Sequence, residues 1–203
     1  MTATAASIVF KCLSGTWTLR RTLTSAIPSF PSGTFTGSAT FTPIPSSPSS
    51  PSDQKQKETL LYTETGELIT TNGLTLRANK KYIYTYSPTD DKLSAWFVKE
   101  SRGDDNQTKI NDENNTIDGG NSRNTVEIDY LFHELVFGEG GEEGAGVMAD
   151  GKWTAIGDHL CIKDNYSARY EFEVGKGEVR RWMLKYDVKG PAKDYISETR
   201  FER

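Results

Sequence analysis

Apolar and polar residues alternate with a period of two along most of the chain, which is the pattern of β-strands with one buried face. The clearest example is residues 166–174 followed by residues 182–188, with Gly175 and Gly177 available for a hairpin turn between them. No segment shows a convincing long amphipathic helix. The same pattern predicts further strands at about residues 17–23, 33–41, 58–70, 74–87, 92–100, 126–137, 154–162 and 194–202.

This arrangement of about nine or ten short strands, with turn signals between them and almost no helix, predicts an all-β protein. An antiparallel up-and-down barrel, of the lipocalin or calycin kind, fits best because closure of the sheet removes its exposed edges. A sandwich of two sheets is the alternative.

Three polar inserts interrupt the strand pattern, at residues 43–57, 102–125 and 138–151. The first is rich in Pro and Ser, the second in Asn, Asp and Gly, and the third in Gly and Glu. We expect them to be disordered loop elaborations of one domain that spans residues 1–203, since barrels of this length are often undivided. A role as a lid over a site is the alternative.

The charge balance limits the partners that the chain can have. The net charge of -4 and the absence of a Lys/Arg cluster argue against nucleic acid. No apolar run is long enough for a membrane span, and no signal peptide is evident at the start. Cys12 and Cys161 could pair, although an intracellular chain would keep them reduced. We therefore expect a cytoplasmic protein, and the sequence does not indicate an oligomeric state.

The strand faces that look inward mix apolar residues with hydroxyl groups, imidazoles and one guanidinium. Such a lining suits a cavity for a small polar or anionic organic ligand. Arg21 shares its face with Trp17 and Leu23, so it either contacts an anionic ligand, forms an internal ion pair with Glu64, or lies at an exposed strand end. The ligand-binding candidates are Arg21, Tyr62, Glu64, His133, His159, Tyr166, Tyr170, Tyr186, Lys193 and Tyr195.

A competing hypothesis is an enzyme (hydrolase, isomerase or lyase) on the same scaffold. His159 and Cys161 point the same way from one strand, and His133 is placed on an inward face with Leu131 and Leu135. These three residues are the catalytic candidates, as acid/base, nucleophile or metal ligands. No tight ligand spacing supports a metal, so we predict neither metal nor cofactor. A third hypothesis is a protein-interaction module with a filled barrel.

The first strand opens with Gly15-Thr-Trp17, a pattern similar to that of the lipocalin and wider calycin superfamily. The resemblance implies that the tryptophan closes one end of the barrel. It also implies that an arginine near the last strand, Arg200 or Arg203 here, packs across the indole ring.

Further motifs follow in order along the chain. They are Gly15, Trp17, Leu19 and Arg21; Gly33, Gly37, Ala39 and Phe41; Tyr62, Glu64, Gly66 and Leu68; Phe132 and His133; His159, Cys161, Asp164 and Tyr166; and Gly190, Pro191, Lys193, Asp194 and Tyr195. Together they resemble the uncharacterised domain-of-unknown-function family 6314. The resemblance covers nearly the whole chain outside the inserts and implies a compact, calycin-like β protein; it implies no substrate.

Overall fold

The described part of the chain forms a closed barrel of ten antiparallel strands, preceded by one helix. A computed structural model describes residues 3–28, 31–45, 57–99, 126–138 and 151–203. Each strand pairs with its neighbours in the sequence, and β1 closes the barrel by pairing with β10. The elements are α1 Ala5–Leu13, β1 Gly15–Ser25, β2 Gly33–Pro43, β3 Glu58–Thr70, β4 Thr75–Ser87, β5 Lys92–Val98, β6 Ile128–Phe137, β7 Gly151–Cys161, β8 Asp164–Gly175, β9 Glu178–Lys189 and β10 Asp194–Glu202.

The predicted up-and-down barrel is confirmed, and the two-sheet sandwich is wrong. The period-two pattern placed the strands well because each strand has one face in the core and one in solvent. The β8–β9 hairpin turns through Lys176 and Gly177, whose φ angles are 55° and 76°. Two successive positive φ values are typical of a tight two-residue hairpin turn, in which glycine is favoured.

Helix α1 was not predicted from the sequence. It begins after Thr4, whose hydroxyl accepts a hydrogen bond from the Ser7 amide at 3.3 Å. Its buried residues include Val9, Phe10 and Leu13, which have helical spacing. The helix is only nine residues long, so this spacing does not repeat often enough to be recognised in the sequence. The helix packs on β4, β5, β6 and β9 and covers the end of the barrel where β1 begins.

Trp17 closes this end of the barrel from inside. Its indole Nε1 donates to the Leu13 carbonyl at 2.8 Å, and the guanidinium of Arg203 lies 4.0 Å from the ring centre. Arg203 Nη2 also donates to the carbonyls of Cys12 and Ser14 at 2.6 and 2.5 Å. The arginine expected from the calycin resemblance is thus Arg203, and it ties the last strand to the helix.

The three polar inserts fall between consecutive strands, since β2 ends at Pro43, β5 at Val98 and β6 at Phe137. Most of each insert, and with it the prediction of disorder, lies outside the described residues. Cys12 and Cys161 are both free, one in α1 and the other at the opposite end of the barrel. Within the described ranges, no helix has the length and apolar character needed to cross a membrane.

Candidate functional site

The barrel encloses a cavity of about 300 Å³ that reaches solvent at the end opposite α1. At that mouth Ala78 and Lys80 of β4 are exposed. The walls are mainly aromatic, with a few charged groups. The lining residues are Arg21, Leu23, Phe35, Tyr62, Glu64, Leu68, Ala78, Lys80, Tyr82, Tyr84, Phe132, Tyr166, Trp182, Leu184, Tyr186, Tyr195, Ser197 and Phe201.

A hydrogen-bonded ion pair lies on the cavity wall. Arg21 donates from Nη1 and Nη2 to the two carboxylate oxygens of Glu64 at 2.7 and 2.6 Å, and from Nε to Thr199 Oγ1 at 2.7 Å. The Tyr62 hydroxyl donates to the same carboxylate at 2.5 Å. Burial opposes both charges, but each partner favours the charge of the other, so the pKa of Arg21 is raised and the pKa of Glu64 is lowered. Of the three alternatives for Arg21, the structure has the internal ion pair.

Lys80 faces the same cavity from β4, opposite Glu64 in the β3–β4 register. Among the described residues it forms no hydrogen bond or ion pair. Although Lys80 as a whole is exposed, desolvation of its ammonium group and the nearby Arg21 lower its pKa to about 8. Sequence reasoning missed Lys80 because the adjacent Lys81 makes the pair look like strand surface. The signal was present, since Ala78, Lys80, Tyr82 and Tyr84 follow one period-two face.

His133 lies behind the cavity wall. Its Nε2 is 2.7 Å from the hydroxyl of Tyr170, and the imidazole is buried. Burial, together with the nearby His159, lowers the pKa of His133 to about 4, so the ring is neutral near pH 7. Burial likewise raises the pKa of Tyr170 well above its ordinary value. This pair is therefore a neutral hydrogen-bonded contact in the core.

A bulge in β6 changes which residues of this strand face inward. Ala95 pairs with His133 and Trp96 with Leu131, which leaves Phe132 without a partner on β5. Phe132 and His133 are therefore both buried, whereas Leu131 is 36% exposed. The prediction that Leu131 shares the inward face of His133 is wrong, because the extra residue reverses the alternation. Phe132 in turn becomes part of the cavity wall.

Among the described residues, strands β6 and β7 share the fewest paired residues of any two neighbours in the barrel. The pairs are Val136–Ile156 and Phe137–Ala155, followed by a hydrogen bond from the Gly138 amide to the Thr154 carbonyl at 3.3 Å. On the other side of these pairs a groove of about 410 Å³ runs between the strands. Phe132 lines both this groove and the internal cavity. It is thus the partition between the two spaces.

The catalytic candidates meet only in part. The rings of His133 and His159 both pack against Phe132, at 4.6 and 5.2 Å between ring centres. Cys161 is the last residue of β7, at the open end of the barrel and away from the ring of His133. No three His, Cys, Asp or Glu side chains in the described part of the chain are grouped so that they could hold a metal ion.

The two late sequence motifs meet at the rim of the barrel mouth. A carboxylate oxygen of Asp164 accepts the Ala192 amide at 3.0 Å, and Lys193 Nζ donates to the Tyr166 hydroxyl at 2.5 Å. This hydrogen bond is the main reason that the pKa of Lys193 is raised. Asp194 is ion-paired with Lys189 at 2.6 Å. The motif residues therefore fix the β9–β10 turn against the start of β8.

The ten ligand-binding candidates fall into two groups. Six line the cavity: Arg21, Tyr62, Glu64, Tyr166, Tyr186 and Tyr195. The other four stand outside the lining. His133 and His159 face the groove between β6 and β7, Tyr170 is buried behind the wall, and Lys193 lies at the rim.

Comparison with known proteins agrees with this architecture. A family model described as "Family of unknown function (DUF6314)" matches residues 13–203. Among solved structures, the chain is similar to the S-type phycobiliprotein lyase CPES from Guillardia theta, with a TM-score of 0.55 at 10% identity. The similarity covers 100% of this chain and 93% of that one, and at this identity it concerns the fold alone. No curated protein matches the sequence.

Proposed function

We propose that the barrel binds a small polar or anionic organic molecule in its cavity. The chain belongs to the family of unknown function DUF6314. The observation that carries the proposal is the lining itself. A space of about 300 Å³ is walled mainly by aromatic rings and contains a cation, Lys80, that forms no ion pair with a described residue. Apolar walls with a few convergent polar groups are the usual form of a small-molecule site.

The proposal changes the roles first expected of several residues. Arg21 and Glu64 neutralise each other, so they support the wall and its polarity more than they attract an ion. Ligand contact is assigned to Lys80 and to the tyrosines that line the cavity. We expect no direct ligand contact from His133, His159, Tyr170 or Lys193, because none of them lines the cavity.

The two competing functions have less support. The phycobiliprotein lyase from Guillardia theta has a similar fold, so a barrel of this kind is compatible with an enzyme. In this chain, however, His133 is neutral and hydrogen-bonded, and Cys161 stands at the rim. A filled barrel that acts only as an interaction module fits poorly with an internal cavity.

The remaining expectations belong to the same proposal. Residues 1–203 act as one domain, in which the polar inserts elaborate the loops. The acidic balance of the chain supports a small molecule as the partner and argues against nucleic acid and membranes. Two free cysteines suit a cytoplasmic location.

The test is native mass spectrometry of the 203-residue chain against a library of small aromatic and aliphatic compounds. Ala78→Trp places a large ring in the cavity mouth, whereas Asn79→Trp places the same ring on the outer face of β4. We expect one-to-one adducts in the wild type and in Asn79→Trp, and their loss in Ala78→Trp. Adducts that survive Ala78→Trp, or no adducts at all, would contradict the proposal. Stoichiometric metal in the same sample would instead favour the enzyme.

A further inference from the structure

We propose that the ligand is a planar aromatic monocarboxylate, whose carboxylate is held by Lys80 and Tyr82 at the cavity mouth. This inference rests on the proposed function and specifies its ligand. It also moves the recognition site to β4, away from the residues that the sequence had indicated.

The first step is the charge of the cavity. Its lining contains one acidic and two basic side chains, those of Glu64, Arg21 and Lys80. Arg21 and Glu64 form a bidentate pair and cancel each other. One positive charge remains, on Lys80, at the place where the cavity opens to solvent. A cavity with one uncompensated cation is complementary to one negative charge.

The second step is the set of hydrogen-bond donors. Tyr82 lies two residues after Lys80 on the same strand, so both side chains point into the cavity about 7 Å apart at their Cα atoms. The Tyr82 hydroxyl, like the Lys80 ammonium, has no hydrogen-bond partner among the described residues. An ammonium and a phenol that approach from one side suit the two oxygens of a carboxylate.

The third step excludes a second negative charge on the ligand. Of the other described cations near the mouth, Arg21 is neutralised by Glu64, and Lys193 lies outside the cavity lining, where its ammonium donates to the Tyr166 hydroxyl. Burial of a dianion, such as a phosphate or a dicarboxylate, would leave one charge without a partner. A monocarboxylate fits the available groups.

The fourth step is the body of the ligand. Ten of the eighteen lining residues are aromatic, and Phe132 stacks on Tyr82 and on Tyr186 with ring centres 5.6 and 5.7 Å apart. Flat rings offer flat surfaces, which favour offset stacking with another ring. A volume of about 300 Å³ is at the small end for ligand sites, so one or two rings are expected.

The test is isothermal titration calorimetry with three probes: 2-naphthoate, its neutral analogue 2-naphthamide, and decanoate as a flexible carboxylate. The variants are Lys80→Met, Tyr82→Phe and, as the matched control, Lys81→Met on the opposite face of β4. We expect the wild type and Lys81→Met to bind 2-naphthoate about tenfold or more tightly than 2-naphthamide or decanoate. In Lys80→Met the ratio of the affinities for 2-naphthoate and 2-naphthamide should fall to about one. In Tyr82→Phe this ratio should be smaller than in the wild type.

The outcomes separate this inference from the function on which it rests. If the wild type binds 2-naphthamide as tightly as 2-naphthoate, the cavity binds ligands but the carboxylate site is wrong. If decanoate binds as tightly as 2-naphthoate, the requirement for a planar ring is wrong. If none of the probes binds and the compound library also gives no adduct, the proposed function itself fails. Thermal unfolding of each variant shows whether the fold is retained.

Discussion

Arg21 and Glu64 meet inside the barrel in a two-point ion pair, although β2 separates their strands, β1 and β3. The Glu64 side chain is 2% exposed and the Arg21 side chain 13%, so neither charge is well solvated. Each residue therefore depends on the other, and the pair holds three neighbouring strands in one fixed register.

Replacement of Arg21 alone should be strongly destabilising. Arg21→Met leaves the buried Glu64 carboxylate with the Tyr62 hydroxyl as its hydrogen-bond partner among the described residues, and with no ion pair. We expect the free energy of unfolding to fall by about 3–5 kcal/mol, measured by urea denaturation. The double variant Arg21→Met/Glu64→Leu removes both charges and should recover most of that loss.

Arg200→Met is the control for this experiment, because Arg200 lies on the outer face of β10 and is 71% exposed. Its effect should stay within about 0.5 kcal/mol. A double variant as unstable as Arg21→Met would mean that packing, and not the orphaned charge, causes the loss.

The stability of the protein should depend on pH through His133. The pKa of its ring is about 4 in the folded protein, against an ordinary value of 6.5. The unfolded chain therefore binds more protons between these values, so stability is fully present above pH 6.5 and is lost as the pH falls toward 4. The difference corresponds to about 3 kcal/mol.

His133→Gln keeps a polar partner for Tyr170 but does not titrate. Unfolding curves at several pH values should therefore show a smaller acid loss for this variant than for the wild type. Glu64 loses its own contribution as the pH falls below 4.5, but it does so in both proteins and cancels in the comparison. Parallel curves for the two proteins would show that His133 is not buried in its neutral form.

Affinity for 2-naphthoate should fall above pH 8. Binding requires the protonated ammonium of Lys80, whose pKa in the free protein is about 8, while the ligand carboxylate is ionised throughout. The dissociation constant should be nearly constant below pH 8 and rise by up to about tenfold per pH unit above it. Calorimetry from about pH 6 to about pH 10 measures this profile.

Two variants give the controls for that profile. Lys80→Arg stays charged over the whole range, so it should bind with little dependence on pH. Lys80→Met should bind weakly at every pH. A decline above pH 8 that persists in Lys80→Arg would assign the titration to another group.

Gly157 should resist substitution even by alanine. A Cβ atom there would overlap Cδ2 of His133 and lie 2.8 Å from the Glu134 carbonyl oxygen, so β6 and β7 would have to separate. We expect Gly157→Ala to lower the free energy of unfolding by about 1–3 kcal/mol. Gly151→Ala, on the same strand with open space around it, should stay within about 0.5 kcal/mol of the wild type. Equal effects of the two substitutions would show that β6 and β7 accommodate a Cβ atom at residue 157 without loss of stability.

The sequence predicted the features that depend on local alternation. The faces of β8 and β9 and the Gly175–Gly177 turn followed from the pattern, because each strand separates core from solvent. Closure into a barrel followed from the number of such strands.

Other features depend on contacts distant in sequence, and these were missed. Helix α1 is formed by packing on four strands and not by a long helical repeat. The bulge at Phe132 depends on the register with β5. Lys80 is different, because local alternation along β4 already placed it on the face of Tyr82 and Tyr84. Arg21 shows what the sequence leaves open, since its position allowed either an anion contact or an ion pair with Glu64. Only the distance between the two side chains in the structure decides for the ion pair.

The junction between β6 and β7, for which the described residues give two pairs, is where we expect the barrel to widen most easily. Among the described residues, nine of the ten junctions between strands have five or more paired residues, so we expect these nine to resist separation. We expect a ligand larger than the cavity to open the barrel at the β6–β7 junction and to displace Phe132, while the pairing of the other strands stays intact. For a ligand that is larger than the cavity, we therefore expect the limit on size to be how far the β6–β7 junction can open.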